Sequence, residues 1–395
     1  MPAPSTPAEL FQLIAQSELI EPRRLNDYWE GVRAAGPTPA DAAACAQLLI
    51  SDGLLTQFQA RILLQGKWKN FILGGKYKVL DQLGAGGMGT VFLCEHRFMR
   101  RRVAVKILPP DKSHSRAALE RFYREAEAIA RLDHPNIVRA HDVGHHGAAC
   151  FLVLEYIEGV NLQRMVEGQG ALSVPRAVNY GVQAAQGLHC AHRSGLIHRD
   201  VKPANLLLDR HGVLKVLDLG LARFSNERPD NGDAGTGILG TADYIAPEQA
   251  MDAAKADARS DVYSLGCTLY FLLTGRPPFE GGSVAQKLAM HQNTPAAPVT
   301  SLRQEVPAGV GDAVRRMLAK QPTERPGTAL AAAELLRPWF KVVPPPAADE
   351  LPTVHFGQHG DLDAMARTMS ASRTLHGIAA EDKTVPLPPG ERATA

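Results

Sequence analysis

The chain has 395 residues, 45% hydrophobic and 21% charged, with a net charge of +2, which supports a sizeable core in two or three domains, or in one large domain with extensions. The near-neutral balance gives no bulk attraction to nucleic acid or to an anionic membrane. Five scattered cysteines with no C-x-x-C pair argue against a disulfide framework and for a reducing, cytoplasmic setting, and neither a signal-like leader nor a run of about 18 apolar residues is visible.

Residues 1–70 predict a small helical module, with helices near 6–17, 21–34, 38–51 and 56–65. Thr6-Pro7-Ala8-Glu9 combines a capping threonine, a proline that loses no needed donor and a glutamate able to close a capping box. Thr38-Pro39-Ala40-Asp41 repeats the pattern weakly, and Thr56 with Gln59 offers another start. A duplication would explain the two Thr-Pro starts, but separate caps are the plainer reading, since caps are generic. Nothing in the module points to chemistry; its expected role is to bind a partner or to dock on the rest of the chain.

From Tyr77 the period turns strand-like, and Gly84-Ala85-Gly86-Gly87-Met88-Gly89 lies between two strand patterns. Glycines so spaced let backbone N–H groups approach phosphates closely. The β-branched and aromatic residues that follow favour strand-loop-strand over the strand-to-helix turn of a dinucleotide fold. Lys106 ends the apolar run Val103-Ala104-Val105. A lysine there is either an edge residue reaching solvent or a cation for nucleotide phosphates that needs an anionic partner. The helical stretch 116–132 offers Glu125 beside its apolar face. The strand ending at Leu154-Glu155 suits a hinge, where backbone near Glu155 and Ile157 would meet an adenine edge. His189 and His192 read as packing or solvent-facing residues, not metal ligands, because no third ligand has a zinc-like spacing.

His198-Arg199-Asp200-Val201-Lys202-Pro203-Ala204-Asn205, followed by Asp218-Leu219-Gly220, Ala246-Pro247-Glu248, Asp261 and Arg325, completes an ordered set with the glycine loop, Lys106 and Glu125. Over residues 77–340 this set resembles the eukaryotic-type serine/threonine protein kinases, in a bacterial-like form. The resemblance implies an α+β bilobal fold, with a β-rich small lobe, a helical large lobe and ATP in the cleft. It implies Asp200 as the residue accepting the substrate proton, Lys202 steadying the phosphoryl group, Asn205 and Asp218 holding Mg²⁺ or Mn²⁺, and Lys106 on the phosphates. Leu83, Val91, Ala104 and Leu207 would sandwich the adenine, with Leu154 behind it. Leu219 stands where the family often has phenylalanine. Asp261 would anchor the catalytic loop, and Glu248 and Arg325 would form a structural ion pair.

The polar segment between Asp218 and Glu248 corresponds to the family's activation loop and carries Ser225, Thr236 and Thr241. Arg199 is the residue expected to receive an activation-loop phosphate, with Thr236 as the phosphosite and Thr241 as the threonine that bonds the catalytic Asp and Lys. Residues 341–395 read as a disordered tail with candidate phosphosites at Thr353, Thr368, Thr374 and Thr384, and a short helix at 362–368. The reading is a protein kinase acting on Ser/Thr of protein substrates, with no nucleic-acid partner and no membrane span. Two rivals are weighed. A nucleotide-binding pseudokinase scaffold is disfavoured because all five core polar residues are present, and a small-molecule kinase is disfavoured by the peptide-platform-like Gly240–Glu248 segment.

Overall fold

Two reciprocal capping boxes open the first and fourth helices. Thr6 Oγ1 accepts the Glu9 N–H at 3.3 Å while the Glu9 carboxylate accepts the Thr6 N–H at 3.2 Å, and Thr56 and Gln59 repeat the exchange at 3.1 and 3.0 Å. Helices α1 (Pro7–Ser17) and α4 (Gln57–Leu64) follow from these caps, with α2 (Pro22–Ala35) and α3 (Ala42–Ser51) between them. The third helix departs from expectation. Its cap is Asp41, which accepts the Ala44 N–H at 2.8 Å, so Thr38 and Pro39 lie in chain that precedes the helix. A carboxylate at the cap also meets the positive end of the helix dipole, which a threonine cannot do. The computed structural model describes residues 2–86, 89–108, 116–147, 149–219, 242–252 and 255–351.

Six antiparallel strands form the small-lobe sheet: β1 (Ile72–Leu73), β2 (Tyr77–Gly86), β3 (Gly89–His96), β4 (Arg102–Ile107), β5 (Ala140–His146) and β6 (Ala149–Glu155), in the order β1-β2-β3-β4-β6-β5. Its central strands are apolar on both faces, and the two-residue period sorts them into two cores. Val103, Val105, Ile107, Phe151 and Val153 join a core with Leu10, Ile14, Leu49, Phe58 and Leu63 of the N-terminal helices. Ala104, Leu152 and Leu154 face the other core, which continues into the large lobe. The helical module therefore shares its core with the sheet. Phe58 meets Phe92 edge-on at 6.3 Å between ring centres. At an irregularity in β2 between Val79 and Asp81, the Val79 and Leu80 carbonyls accept Gln59 Nε2 and Thr56 Oγ1, each at 2.6 Å.

Helix α5 (Arg116–Ala130) precedes β5 and packs against it. In the large lobe, β7 (Gly159–Asn161), β8 (Leu206–Asp209) and β9 (Leu214–Val216) form a second small sheet. The long helices α7 (Val174–Arg193) and α9 (Ala258–Thr274) pack together at the centre, with the short α6 (Leu162–Gln169) and α8 (Pro247–Met251) beside the catalytic segment. Helices α10 (Val284–Asn293), α11 (Val299–Leu302), α12 (Ala308–Met317) and α13 (Ala329–Leu336) complete the lobe.

Glu248 and Arg325 form the expected ion pair, bidentate at 2.7 and 2.8 Å. Ser260 Oγ donates to Glu248 at 2.6 Å, and the remaining guanidinium donors go to the carbonyls of Ala319, Arg259 and Lys320. Burial pushes the Glu248 carboxyl up, but the Arg325 and Ser260 bonds outweigh it and hold the group below its ordinary range.

The segment expected as the start of a tail has a packed course over residues 341–351. Asn179 Nδ2 donates to the Lys341 carbonyl at 2.7 Å. Arg176 on α7 clamps Glu350 through two bonds of 2.6 and 2.7 Å, and Val343 and Leu351 rest on the large-lobe core. The Arg176 bonds hold the Glu350 carboxyl down at about 2 despite its partial burial. Residues 352–395, with Thr353, Thr368, Thr374, Thr384 and the expected helix at 362–368, lie outside the described residues.

Two stability measurements follow from this packing. Phe58→Ala removes a ring that is 0% exposed and is expected to cost about 3–5 kcal/mol. The small lobe's thermal transition should fall, and an unchanged transition would show that the helices are not part of that lobe's core. Arg325→Ala leaves Glu248 buried without its counter-charge and is expected to cost about 3–5 kcal/mol in urea unfolding; a loss within experimental error would mean that Ser260 alone satisfies the carboxylate.

Candidate active site

Helix α7 runs out at Arg193, and the chain turns back across the lobe into the segment 198–205. That segment is hung on one carboxylate. Asp261, 1% exposed on α9, accepts the His198 N–H at Oδ2 and the Arg199 N–H at Oδ1, both at 2.8 Å. His192 Nε2 lies 2.7 Å from Oδ2 of the same group. His198 is itself fully buried. Its Nδ1 accepts the Asp200 N–H at 3.2 Å and its Nε2 faces the Leu217 carbonyl at 2.7 Å, an arrangement that selects the Nε2–H tautomer of neutral imidazole. His198 thereby ties the catalytic segment to the residue before Asp218.

Arg199 and Asp218 both adopt left-handed backbone, with φ of 67° and 59°. Aspartate tolerates this region better than most residues, but arginine does not favour it, and such strain persists only where the surroundings impose it. For Arg199 the imposing bonds are clear: its N–H goes to Asp261, and its carbonyl accepts Gln249 Nε2 at 2.7 Å.

Asp200, Lys202 and Asn205 meet directly. Asn205 Nδ2 donates to the Asp200 carbonyl at 2.8 Å and to Asp200 Oδ2 at 3.0 Å, and Lys202 Nζ is 2.8 Å from the same Oδ2. The Leu217 N–H donates to the Asn205 carbonyl at 2.9 Å, which brings Asp218 alongside. Across the cleft, Lys106 is 2% exposed and stands opposite Val91 and Leu152 in the sheet. Its Nζ is 2.8 Å from Asp218 Oδ1. Burial pushes the Asp218 carboxyl up, but the Lys106 charge and hydrogen bond, reinforced by Lys202, turn the net shift downward. The expected partner of Lys106 was Glu125. Glu125 lies on α5 with its side chain outside the described residues, and the partner that the described residues show for Lys106 is Asp218.

The donor set fits a hard divalent cation. Asn205 spends its amide nitrogen on Asp200, which leaves its Oδ1 as an oxygen donor, and Asp218 is an ionised carboxylate. Among the described residues no group of three or more His, Cys, Asp or Glu side chains gathers as an all-protein metal cage. Magnesium characteristically takes one or two protein oxygens and completes its shell with substrate phosphates and water.

The glycine segment is a hairpin in which Gly86 pairs with Gly89, and strand β3, not a helix, follows it. Gly87 and Met88 lie outside the described residues. The remaining glycines differ in why they are glycine. At Gly89 (φ 117°) a Cβ would sit 2.1 Å from the Ile107 carbonyl oxygen, so the fold itself forbids a side chain. At Gly84 a Cβ would meet nothing within 4 Å. The protein's packing gives no reason for glycine there, whereas close approach of a ligand does.

Leu83 is 43% exposed, and Ala85 is exposed beside Gly84. Ala104 and Leu154 are cross-strand neighbours in the buried face. Val91 and Ile157 border the same core, and Leu207 is half-buried on β8. Glu155 does more than the sequence indicates. Its carboxylate accepts the Arg139 N–H at 2.9 Å and Lys215 Nζ at 2.8 Å, linking the lobes. Its own N–H goes to the Arg139 carbonyl, so of the backbone expected to read adenine, the Glu155 carbonyl and Ile157 remain. Ser225, Thr236 and Thr241 lie outside the described residues.

Three supporting residues escape sequence reasoning. His192 reads there as a packing or solvent-facing histidine, yet it bonds Asp261. Lys215 and Gln249 act on partners 60 and 50 residues away. Only His192 carries a sequence signal, a polar residue on the helix face that buries Ala185 and Leu188, whereas Lys215 alternates with buried Leu214 and Val216 as a surface lysine does.

Residues 77–340 match the model of the protein kinase domain. The chain is 38% identical over 263 residues to a probable serine/threonine-protein kinase of Clostridium perfringens, covering 65% of this chain and 37% of that protein. It is 36% identical over 330 residues to the serine/threonine-protein kinase PknB of Mycolicibacterium smegmatis, covering 80% and 50%. The chain thus spans half or less of the length of these relatives. The crystal structure of the Mycobacterium tuberculosis PknI kinase domain aligns with a TM-score of 0.54 at 28% identity, over 67% of this chain and 96% of that one. Because the match to that domain model covers more than half of its length, the chain belongs to the protein kinase family.

Proposed function

We propose that the chain is a protein-serine/threonine kinase that moves the γ-phosphoryl group of ATP to Ser or Thr hydroxyls of protein substrates. The observation that carries this reading is the convergence of Lys106 and Asp218 at 2.8 Å with Asp200, Lys202 and Asn205 on the segment that His198 ties to them. Phosphoryl transfer makes few covalent demands on a protein; it needs positioning and neutralisation of charge. Lys106 holds the α- and β-phosphates from the small lobe. Asn205 and Asp218 would hold Mg²⁺ or Mn²⁺, which supplies neutralisation of charge on the phosphate oxygens. The substrate oxygen bonds to the γ-phosphorus as the bond to the β–γ bridging oxygen breaks, and ADP leaves with that electron pair. Asp200 receives the hydroxyl proton, while Lys202, next to it, offsets negative charge on the transferring group. Leu83, Val91, Ala104, Leu154 and Leu207 would enclose the adenine.

Phosphorylation of Thr236 would order the activation segment by charge-assisted pairing with Arg199. Residues 1–70 and the small-lobe sheet share a core, so any partner engaging those helices would act on the nucleotide-binding lobe directly. Among the described residues no helix is long and apolar enough to cross a membrane, and a cytoplasmic setting is part of the same proposal.

Two measurements test the reading. Asp200→Asn should lower transfer from labelled ATP to a generic protein substrate by about 10²- to 10⁴-fold, with nucleotide affinity retained; equal labelling by both proteins would remove Asp200 from the chemistry. Thr236→Ala should lose the phosphate at that position and about tenfold or more of the activity, whereas full activity in the unphosphorylated variant would end the switch hypothesis.

A further inference from the structure

The connection between β3 and β4 reads Arg97-Phe98-Met99-Arg100-Arg101, and Arg102 opens β4. It is a tightly made turn. His96 Nδ1 accepts the N–H groups of Phe98 and Met99 at 3.3 and 3.2 Å, the Arg100 N–H donates to the His96 carbonyl at 2.8 Å, and the His96 N–H to the Arg101 carbonyl at 2.9 Å. Arg100 takes the left-handed conformation, φ 53°, where a turn selected only for its geometry would carry glycine or asparagine. On this rigid tip Phe98 is 79% exposed and Met99 68% exposed, the two most exposed large apolar side chains of the small lobe among the described residues. Turn geometry asks for neither.

The surroundings are basic, and the cations come from three elements. Lys78 on β2 stands opposite Glu95. Its ammonium is shifted down, first by burial and then by Arg24 of α2 and by Arg100 and Arg97, with Glu95 pulling the other way. Arg97 pairs with Glu18, the residue that caps the end of α1, at 3.5 Å and Arg100 with Glu95 at 3.2 Å, both surface contacts that water and salt weaken. Arg100, Arg101 and Arg102 are exposed. Thus a chain with a net charge of only +2 concentrates cations around two solvent-facing apolar side chains.

We propose that this turn is a peripheral membrane-contact site, with Phe98 and Met99 entering the interface of a bilayer rich in anionic lipid and the surrounding arginines pairing with headgroup phosphates. The shape favours a bilayer over a protein partner. The apolar pair stands on a convex hairpin tip, the form that enters a soft interface, whereas a folded partner would have to bring a pocket of its own. Arginine and an aromatic ring side by side match the interfacial zone, which is polar at the headgroups and apolar just below. The tip also lies clear of the cleft. In the β2–β3 register the glycine turn is at Gly86–Gly89 and the pair Tyr77–His96 is at the other end, about 24 Å away at the usual strand rise. Membrane contact there would leave the cleft open to substrates. With one short apolar wedge the attachment would be reversible and sensitive to salt.

The test uses the full chain sedimented with vesicles of phosphatidylcholine alone and of phosphatidylcholine mixed with phosphatidylglycerol, and phosphoryl transfer in solution serves as the check of folding. Expected is binding to the anionic vesicles only, reduced by salt. Phe98→Ser with Met99→Ser should lower it about tenfold or more, and Arg100→Gln with Arg101→Gln about fivefold per arginine, both pairs leaving transfer in solution unchanged. The proposal is overturned by equal binding to neutral and anionic vesicles, by no binding to either, or by binding that the tip variants do not alter. Idle vesicles together with tip-dependent capture of a synthetic acidic polypeptide would overturn it too, and would assign the turn to a protein partner. Because transfer is read separately, loss of the membrane site and failure of the kinase reading give different results.

Discussion

One buried carboxylate fixes the geometry of the catalytic segment. Asp261 takes the N–H groups of two consecutive residues, His198 and Arg199, and pinning consecutive amides sets the direction of the chain between them. The left-handed turn at Arg199 is then imposed, and Asp200 leaves it aimed toward the cleft. A carboxylate so far from water is tolerable only if its acceptor capacity is filled. Two amides and His192 fill it. Since Asp261 sits on the most buried helix of the large lobe, the reacting groups inherit the rigidity of that core and not the looseness of a surface loop.

The same economy governs the small lobe. Strands β4 and β6 are apolar on both faces, and adjacent residues on them belong to different cores. Val105 faces the N-terminal helices while Lys106 faces the nucleotide side. The position of Lys106 therefore depends on packing behind the sheet as much as on anything in the cleft. The capping box at Thr56 serves two structures at once, because Thr56 and Gln59 also satisfy the carbonyls that the irregular strand β2 leaves over.

What the sequence discloses follows the range of each interaction. Capping at Thr6 and Thr56 is settled within four residues, and both starts are legible. At 38–41 two capping residues compete over the same short span, and the choice of Asp41 depends on where the preceding chain is held, with the Ala42 N–H donating to the Ser5 carbonyl. Lys106, Asp200, Asn205 and Asp218 are legible because their chemistry admits few substitutes at those spacings. Lys106's observed partner is harder to read. Several carboxylates lie within reach in sequence, and only the course of the chain past Leu217 brings Asp218 to it. His192 and Lys215 stay hidden because their partners lie 69 and 60 residues away. Amphipathic patterns in residues 1–70 reveal that faces are buried, not that a β-sheet covers them. The proline-rich opening of the last segment conceals a charge pair formed with Arg176, 174 residues upstream.

The docked segment 341–351 and the shared core at the front have a joint implication for inheritance. The stretch recognisable by descent, residues 77–340, is shorter than the stretch that packs as one body. Severed at those limits, the small lobe would show Val79, Phe92, Val105 and Phe151 to water, and Arg176 on the helix leading to the catalytic segment would lose its clamp. In this chain the domain leans on both flanks at once, with the helices before it covering the outer face of the sheet and the segment after it supplying the counter-charge for α7.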